Sequence, residues 1–307
     1  MDLSTCYCRN RHCTSHGLIG DAARLQMAGW HCGAGRLKCL ECGHWISARI
    51  GTAYAGIRTP EGVYRQGVRQ LAEGLSIRAS ARNLELDKDT VCNWLPRLGR
   101  HCRRLFDYFF RDLPLTECQL DELWTFVFKK EKHLTAFEKL AGRYGDAWIW
   151  VAFDSVTKIV PTWRVGKRTL GDASHFLNAL KNRLAEHIPF FTSDELPQYS
   201  DALLEVYGVM CTPPRRFPRG RRPRPRREPP PDLVYAVVVK ARERGRVVQV
   251  TTQVIYGTEA QVTRCLHASP VSDTISTYGV ERNNLTIRQH SRRLGRKVNA
   301  SPSSDAT

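Results

Sequence analysis

Cys118-Gln119-Leu120-Asp121-Glu122-Leu123-Trp124-Thr125-Phe126-Val127-Phe128 has the pattern of a long strand at the start of an α/β region. Apolar side chains alternate with polar ones, the period of a strand with two different faces. The stretch opens a run of strand text that continues at 147–153 and 158–165. A helical pattern follows at 171–183, with Ala173, Phe176, Leu177 and Leu180 on one face. Residues 189–194, PFFTSD, read as a short apolar strand ending in a carboxylate, and a helix start follows at Pro197. Strands return at 233–240 and 246–256, and helical patterns at about Glu259 and about Val280. Alternating strands and helices predict an α/β domain.

Acids fall at chemically useful places in this order. Asp121 lies in the first strand, Asp194 ends a later one, and Glu281 begins the helical text VERNNLTIRQHSRRLGRK. Adjacent strand-end carboxylates can share divalent cations, and a glutamate on a helix crossing the sheet can reach the same ions. An RNase H-like fold places its acids this way. Arg288 is seven residues past Glu281 on the same helix face, and with Arg282, Arg292, Arg293 and Lys297 it is a candidate contact for phosphates. Asp154, Asp201, Glu259 and Asp273 are rival acids. Asp154 sits in Asp154-Ser155-Val156-Thr157, where a turn role competes with a ligand role.

Composition bounds the partner. The chain of 307 residues carries 47 Lys+Arg against 30 Asp+Glu, a formal charge of +17. Such a balance favours a polyanion, because each phosphate neutralised releases a counterion. The longest apolar runs, 147–153 and 233–239, are far short of the roughly 18 residues of a spanning helix. The first residues lack the basic and apolar regions of a secretory signal. A cytoplasmic protein is expected. Residues 213–231 hold eight Pro and eight Arg, which predicts an extended basic linker, and residues 299–307 read as a frayed tail.

Six of the eleven cysteines (Cys6, Cys8, Cys13, Cys32, Cys39 and Cys42) precede residue 43. Clustering of this kind in a long basic chain suits metal rather than a disulfide framework. Cys8-x4-Cys13 and Cys39-x2-Cys42 offer two close pairs that can close a tetrahedral sulfur shell around zinc, with Gly17 and Gly43 at the required tight turns. Cys6, Cys32, His12 and His16 remain alternative ligands.

Residues 60–111 read as helices. Residues 76–84 form a short helix, 85–89 a turn, and Asp89 or Thr90 can cap a second helix with Val91, Trp94 and Leu95 inward. This is the spacing of a helix-turn-helix, whose second helix would present Lys88, Asn93 and Arg97 to DNA. Pro96 is expected to bend that helix.

The order of these texts resembles the insertion-sequence transposases of the IS-one type, a DDE family. CRNRHCTSHG at 8–17 and RLKCLECGHWISARIGTAYAG at 36–56 are similar to its zinc knuckle, and 61–100 to its helix-turn-helix. LDELWTFV at 120–127, FTSDELPQY at 191–199, DLVYAVVVK at 232–240 and GVERNNLTIRQHSRRLGRK at 279–297 are similar to its catalytic blocks. The resemblance implies Asp121, Asp194 and Glu281 as catalytic ligands of Mg2+ or Mn2+, and Cys8, Cys13, Cys39 and Cys42 as ligands of structural Zn2+. It also implies metal-dependent strand cleavage and strand transfer, binding of terminal inverted repeats and target DNA, and a homo-oligomer on DNA. The implied domains are a zinc module at 1–56, a helix-turn-helix at 57–111 and an RNase H-like mixed α/β catalytic domain at 112–298. The last would hold the linker 213–231 and an inserted strand pair at 233–256. The 87 residues from Asp194 to Glu281 exceed the spacing of compact members, and the chain after Lys297 is short and polar. A non-catalytic zinc and helix-turn-helix DNA-binding protein, or another RNase H-like nuclease, are the alternative functions.

Overall fold

A computed structural model describes residues 5–31, 33–214, 223–244 and 246–295. Cys32, Lys297, the tail 299–307 and residues 215–222 of the Arg/Pro linker lie outside these. The chain divides into two compact units between Asp107 and Tyr108, so the expected zinc and helical modules fall within one unit.

The first unit begins with a three-stranded antiparallel sheet, β1 (Leu25–His31), β2 (Ala34–Cys39) and β3 (Trp45–Ser47). Leu37 and Ile46 are paired across it and buried with Cys8, Cys13 and Cys39, a core far too small to hold a module alone. Three helices follow: α1 (Glu61–Ala72), α2 (Ile77–Asn83) and α3 (Lys88–Phe109). The Ser76 hydroxyl caps α2 by accepting the Ala79 amide at 3.2 Å. Glu85 then turns the chain with a φ of 54°. The Asp87 carboxylate accepts the Asp89 amide at 2.7 Å, so α3 starts earlier than Asp89 or Thr90 would cap it. Val91 and Trp94 face the core as expected, but Leu95 is 38% exposed and α3 runs on past Pro96. A Cβ on Gly67 would lie 2.5 Å from the Trp94 ring and 2.8 Å from Leu84 Cδ1, so only glycine lets α1 approach this closely. Arg49, itself buried, donates to the carbonyls of Gly33 (3.0 Å) and Ile57 (3.2 Å), tying the sheet to the chain that enters α1.

The second unit opens with β4 (Glu117–Val127), the strand of the opening quotation, followed by the short α4 (Ala136–Leu140). β5 (Gly145–Phe153) and β6 (Thr162–Gly166) continue as an antiparallel meander. β6 begins later than residue 158. Asp154 turns the chain by accepting the amides of Val156 and Thr157, and Lys158 takes a φ of 64°. Then come α5 (Leu170–Lys181), β7 (Phe190–Asp194), α6 (Pro197–Tyr207), β8 (Val209–Cys211), β9 (Arg226–Glu228), β10 (Tyr235–Glu243), β11 (Arg246–Tyr256), α7 (Glu259–Ala268) and α8 (Tyr278–His290).

The main sheet has the order β11-β10-β7-β4-β5-β6, with β7 parallel to β4 and β10 parallel to β7. Leu120, Trp150, Phe191, Tyr235 and Val237 pack on α5 and α6. Leu123, Val151 and Phe153 pack on Val280 of α8, and Phe190, Val234 and Ala236 on Val262 of α7. The expected inserted strand pair 233–256 is therefore no insert. β10 extends the sheet itself, and its first four residues, Tyr235–Val238, are buried because that run is apolar on both faces. The linker is also shorter than expected, since Arg226–Glu228 pairs with Val209–Cys211.

Replacing Gly67 by Val should destabilise the first unit by about 1–3 kcal/mol, the usual cost of overpacking a closed contact. Denaturant unfolding of the full chain measures it, and wild-type stability would contradict the packing.

Candidate functional site

Four sulfurs converge in the first unit. The ligand atoms of Cys8, Cys13, Cys39 and Cys42 all lie within 4.8 Å of one another. Cys8 Sγ is 3.6 Å from Cys42 Sγ, and Cys13 Sγ 3.7 Å from Cys39 Sγ. Zn–S bonds of about 2.3 Å in a tetrahedron put sulfurs about 3.8 Å apart, so these spacings suit such an ion. Two turns build the cluster. Gly17 takes a φ of 75° and its amide reaches the Cys8 carbonyl, while Gly43 takes 70° and its amide reaches Cys39. Burial pushes the Cys8 thiol up to about 12. The His44 amide, hydrogen-bonded to Cys42, holds that thiol down at about 6. The quartet could hold a metal such as zinc. Cys6, His12 and His16 do not join it. Outside the core, the sheet carries Arg36 stacked 4.2 Å above the Trp45 ring.

In the helices, Lys88 and Asn93 are exposed, and Lys88 pairs with Asp89 at 2.8 Å. Arg97 does not simply project outward. Its Nη1 donates to the Ala55 carbonyl at 3.2 Å, a structural use that the helical pattern did not reveal.

The second unit brings the three expected carboxylates together. Strand alternation does most of this. Asp121 shares the α8 side of β4 with Leu123, and Asp194 shares the α7 side of β7 with Phe190. Glu281 comes from the first turn of α8. That helix is held close by Gln119, whose side-chain carbonyl accepts the Val280 amide at 2.8 Å. A Cβ on Gly279 would lie 2.8 Å from the same oxygen and 2.9 Å from the Phe153 ring, so the helix rests on the sheet just before Glu281.

Three groups that the sequence did not mark complete the arrangement, and a fourth lies on the opposite face of β4. Asn284 Nδ2 donates to Asp121 Oδ2 at 2.7 Å. The Thr277 hydroxyl is 3.1 Å from both Asp194 Oδ1 and Glu281 Oε1. Lys240 Nζ lies 3.2 and 3.3 Å from the two Asp194 oxygens and 2.5 Å from Glu281 Oε1. Glu122, on the opposite face from Asp121, accepts from Arg168 at 2.6 Å and Tyr199 at 3.2 Å. Asn284 and Thr277 could have been sought as polar residues one helical turn either side of Glu281. Nothing local marks Lys240, because its role follows from register: Val238 pairs with Asp194, and two residues on is the same face.

Burial, and the negative charges of Asp194 and Glu281, raise the pKa of Asp121, against the hydrogen bonds from the Glu122 amide and Asn284. Burial likewise raises Glu122 to about 7, although Arg168 opposes it. Among the described residues only the cysteine quartet draws its ligand atoms within 4.8 Å. The carboxylates stand further apart, with the Lys240 ammonium between Asp194 and Glu281. Hard oxygen donors around one buried-edge cation are the chemistry that suits Mg2+ or Mn2+.

The rival acids do not compete. Asp154 is buried and spends both oxygens on its own turn, and Asp201, Glu259 and Asp273 are exposed. Arg288 turns to its own helix end, donating to the Leu294 carbonyl at 3.1 Å, whereas Arg282, Arg292 and Arg293 are exposed. Beside α8 lies a cleft of about 670 Å³ lined by Lys158, Tyr278, Arg282 and Asn283 among others. No helix among the described residues is long and apolar enough to cross a membrane. No family model matches the chain, and no curated protein matches it.

Two outcomes follow from the local chemistry. The full chain should carry one tightly held zinc, lost in Cys39→Ser and released as pH falls, because protons compete for the four thiolates. Elemental analysis across a pH series checks this, and the absence of stoichiometric metal would refute it. Glu122, raised from 4.5 to about 7 in the folded state, binds more protons folded than unfolded between those values. Its contribution to stability is therefore present at low pH and lost as pH rises toward 7. Glu122→Gln should flatten this part of the stability–pH curve, and thermal melts of both proteins from pH 5 to 8 would show parallel curves if the assignment were wrong.

Proposed function

We propose that this chain is a DNA transposase of the DDE type, related to the IS-one insertion-sequence family that its sequence resembles. The observation that carries the reading is the convergence of Asp121, Asp194 and Glu281 from two parallel strands and one helix onto one face of the sheet. The strand order supports an RNase H-like domain: a three-stranded antiparallel meander, then two strands added parallel at its first strand. β11 is an extra antiparallel edge.

On this reading Asp121, Asp194 and Glu281 would hold Mg2+ or Mn2+. Bound there, the ions would activate water or a DNA 3′-hydroxyl for in-line attack on a phosphodiester. Asn284 fixes one oxygen of Asp121, and Thr277 holds Asp194 and Glu281 in register, so the carboxylates are positioned before any substrate arrives. Lys158, Arg282, Arg292 and Arg293 give the surface around α8 the positive charge that a DNA backbone requires.

The first unit supplies recognition. A zinc-stapled sheet and the α2–α3 pair, with Lys88 and Asn93 exposed, suit reading of terminal inverted repeats. Joining two element ends to a target requires two catalytic centres, hence a homo-oligomer on DNA, acting at the bacterial nucleoid.

The test is a strand-transfer assay with the purified chain, Mg2+ or Mn2+, and linear DNA carrying an element end. Joined products should form and fall by at least about a thousandfold in Asp194→Asn, the scale of removing an essential catalytic group. Sequence-specific binding without any cleavage would instead leave a non-catalytic DNA-binding protein, and cleavage by hydrolysis without joining would leave a nuclease.

A further inference from the structure

Lys240 stands where two acids of the proposed site need a cation. It projects from β10 on the same sheet face as Asp194, and its side chain is only 22% exposed. An ammonium has three protons, and three carboxylate oxygens surround this one: both of Asp194 and Oε1 of Glu281. Thr277 has a single proton to share between the same two carboxylates, so it cannot neutralise them. Without Lys240, two negative charges would face each other across a partly buried gap.

We infer that Lys240 is a tethered counter-ion that competes with divalent metal for Asp194 and Glu281, so that loading the site requires its ammonium to leave. This rests on the reading of those acids as metal ligands. Oxygen ligands approach Mg2+ to about 2.1 Å, closer than the 2.5–3.3 Å at which Nζ now lies from the same oxygens. Two cations cannot occupy that cradle together. The four-carbon stem of lysine lets the charge swing aside without moving β10. A DNA phosphate beside the site would then give the displaced ammonium a new partner. Metal and DNA would thus load cooperatively, and the free protein would hold metal weakly.

The experiment is calorimetric titration of Mn2+ into the zinc-loaded full chain, comparing wild type with Lys240→Met, Lys240→Gln, Lys240→Arg and Asp194→Asn. Removing the charge should tighten Asp194-dependent Mn2+ binding by about tenfold or more, and Lys240→Arg should stay near wild type. Binding seen only in the uncharged variants would also support the inference, as the signature of strong competition. Wild-type binding that depends on Asp194 yet is unchanged or weakened in both Met and Gln variants would overturn it and leave the metal reading intact. No Asp194-dependent binding in any variant would overturn both. Melting curves without metal report whether each variant folds, and a variant that fails to fold is replaced in the comparison by the other.

Discussion

The parallel pairing of β7 between β4 and β10 is the constraint on which the second unit depends. It is short: four residues of β7 match Glu117–Leu120 on one side and four match Tyr235–Val238 on the other. Because strand side chains alternate, that register decides at once which acids meet. A slip of one residue would send Asp194 to the largely apolar α5/α6 side, away from Lys240 and Thr277. The core therefore enforces the site. Phe191, Tyr235 and Val237 must point one way to be buried, so Asp194 and Lys240 must point the other.

The same logic explains Asp121 and Glu122. They are sequence neighbours with opposite surroundings. Asp121 shares its face with Asn284 and the other two acids. Glu122 reaches the α5/α6 side, where Arg168 and Tyr199 meet it. Two adjacent carboxylates thus serve different ends: one is grouped with like charges at a site, the other is neutralised within the packing.

The first unit is organised by a different force. Its sheet buries only a few apolar side chains, and a metal held by the four sulfurs would supply the closure that packing cannot. Arg49 and Arg97 then use backbone carbonyls of the intervening chain to fasten sheet and helices together. These two basic residues therefore have structural uses that net charge alone does not reveal.

Local chemistry was legible from the residues themselves. Paired cysteines with glycines behind them announce a knuckle that could hold a metal, since only glycine readily takes the left-handed turns at Gly17 and Gly43. Alternation announced β4, a short apolar run announced β7, and helical periodicity announced α5, because each signal is carried within the element. What needed the tertiary structure was everything set by pairing between distant segments. β10 looked like an insert because its partner in β7 lies 44 residues earlier in the chain, a pairing that its apolar run permits but does not name. For the same reason Lys240 passed unnoticed as one more basic residue in a basic chain, and the backbone carbonyls that Arg97 and Arg288 reach were not foreseen. A charge declares its presence in the sequence, but only the fold decides which partner neutralises it.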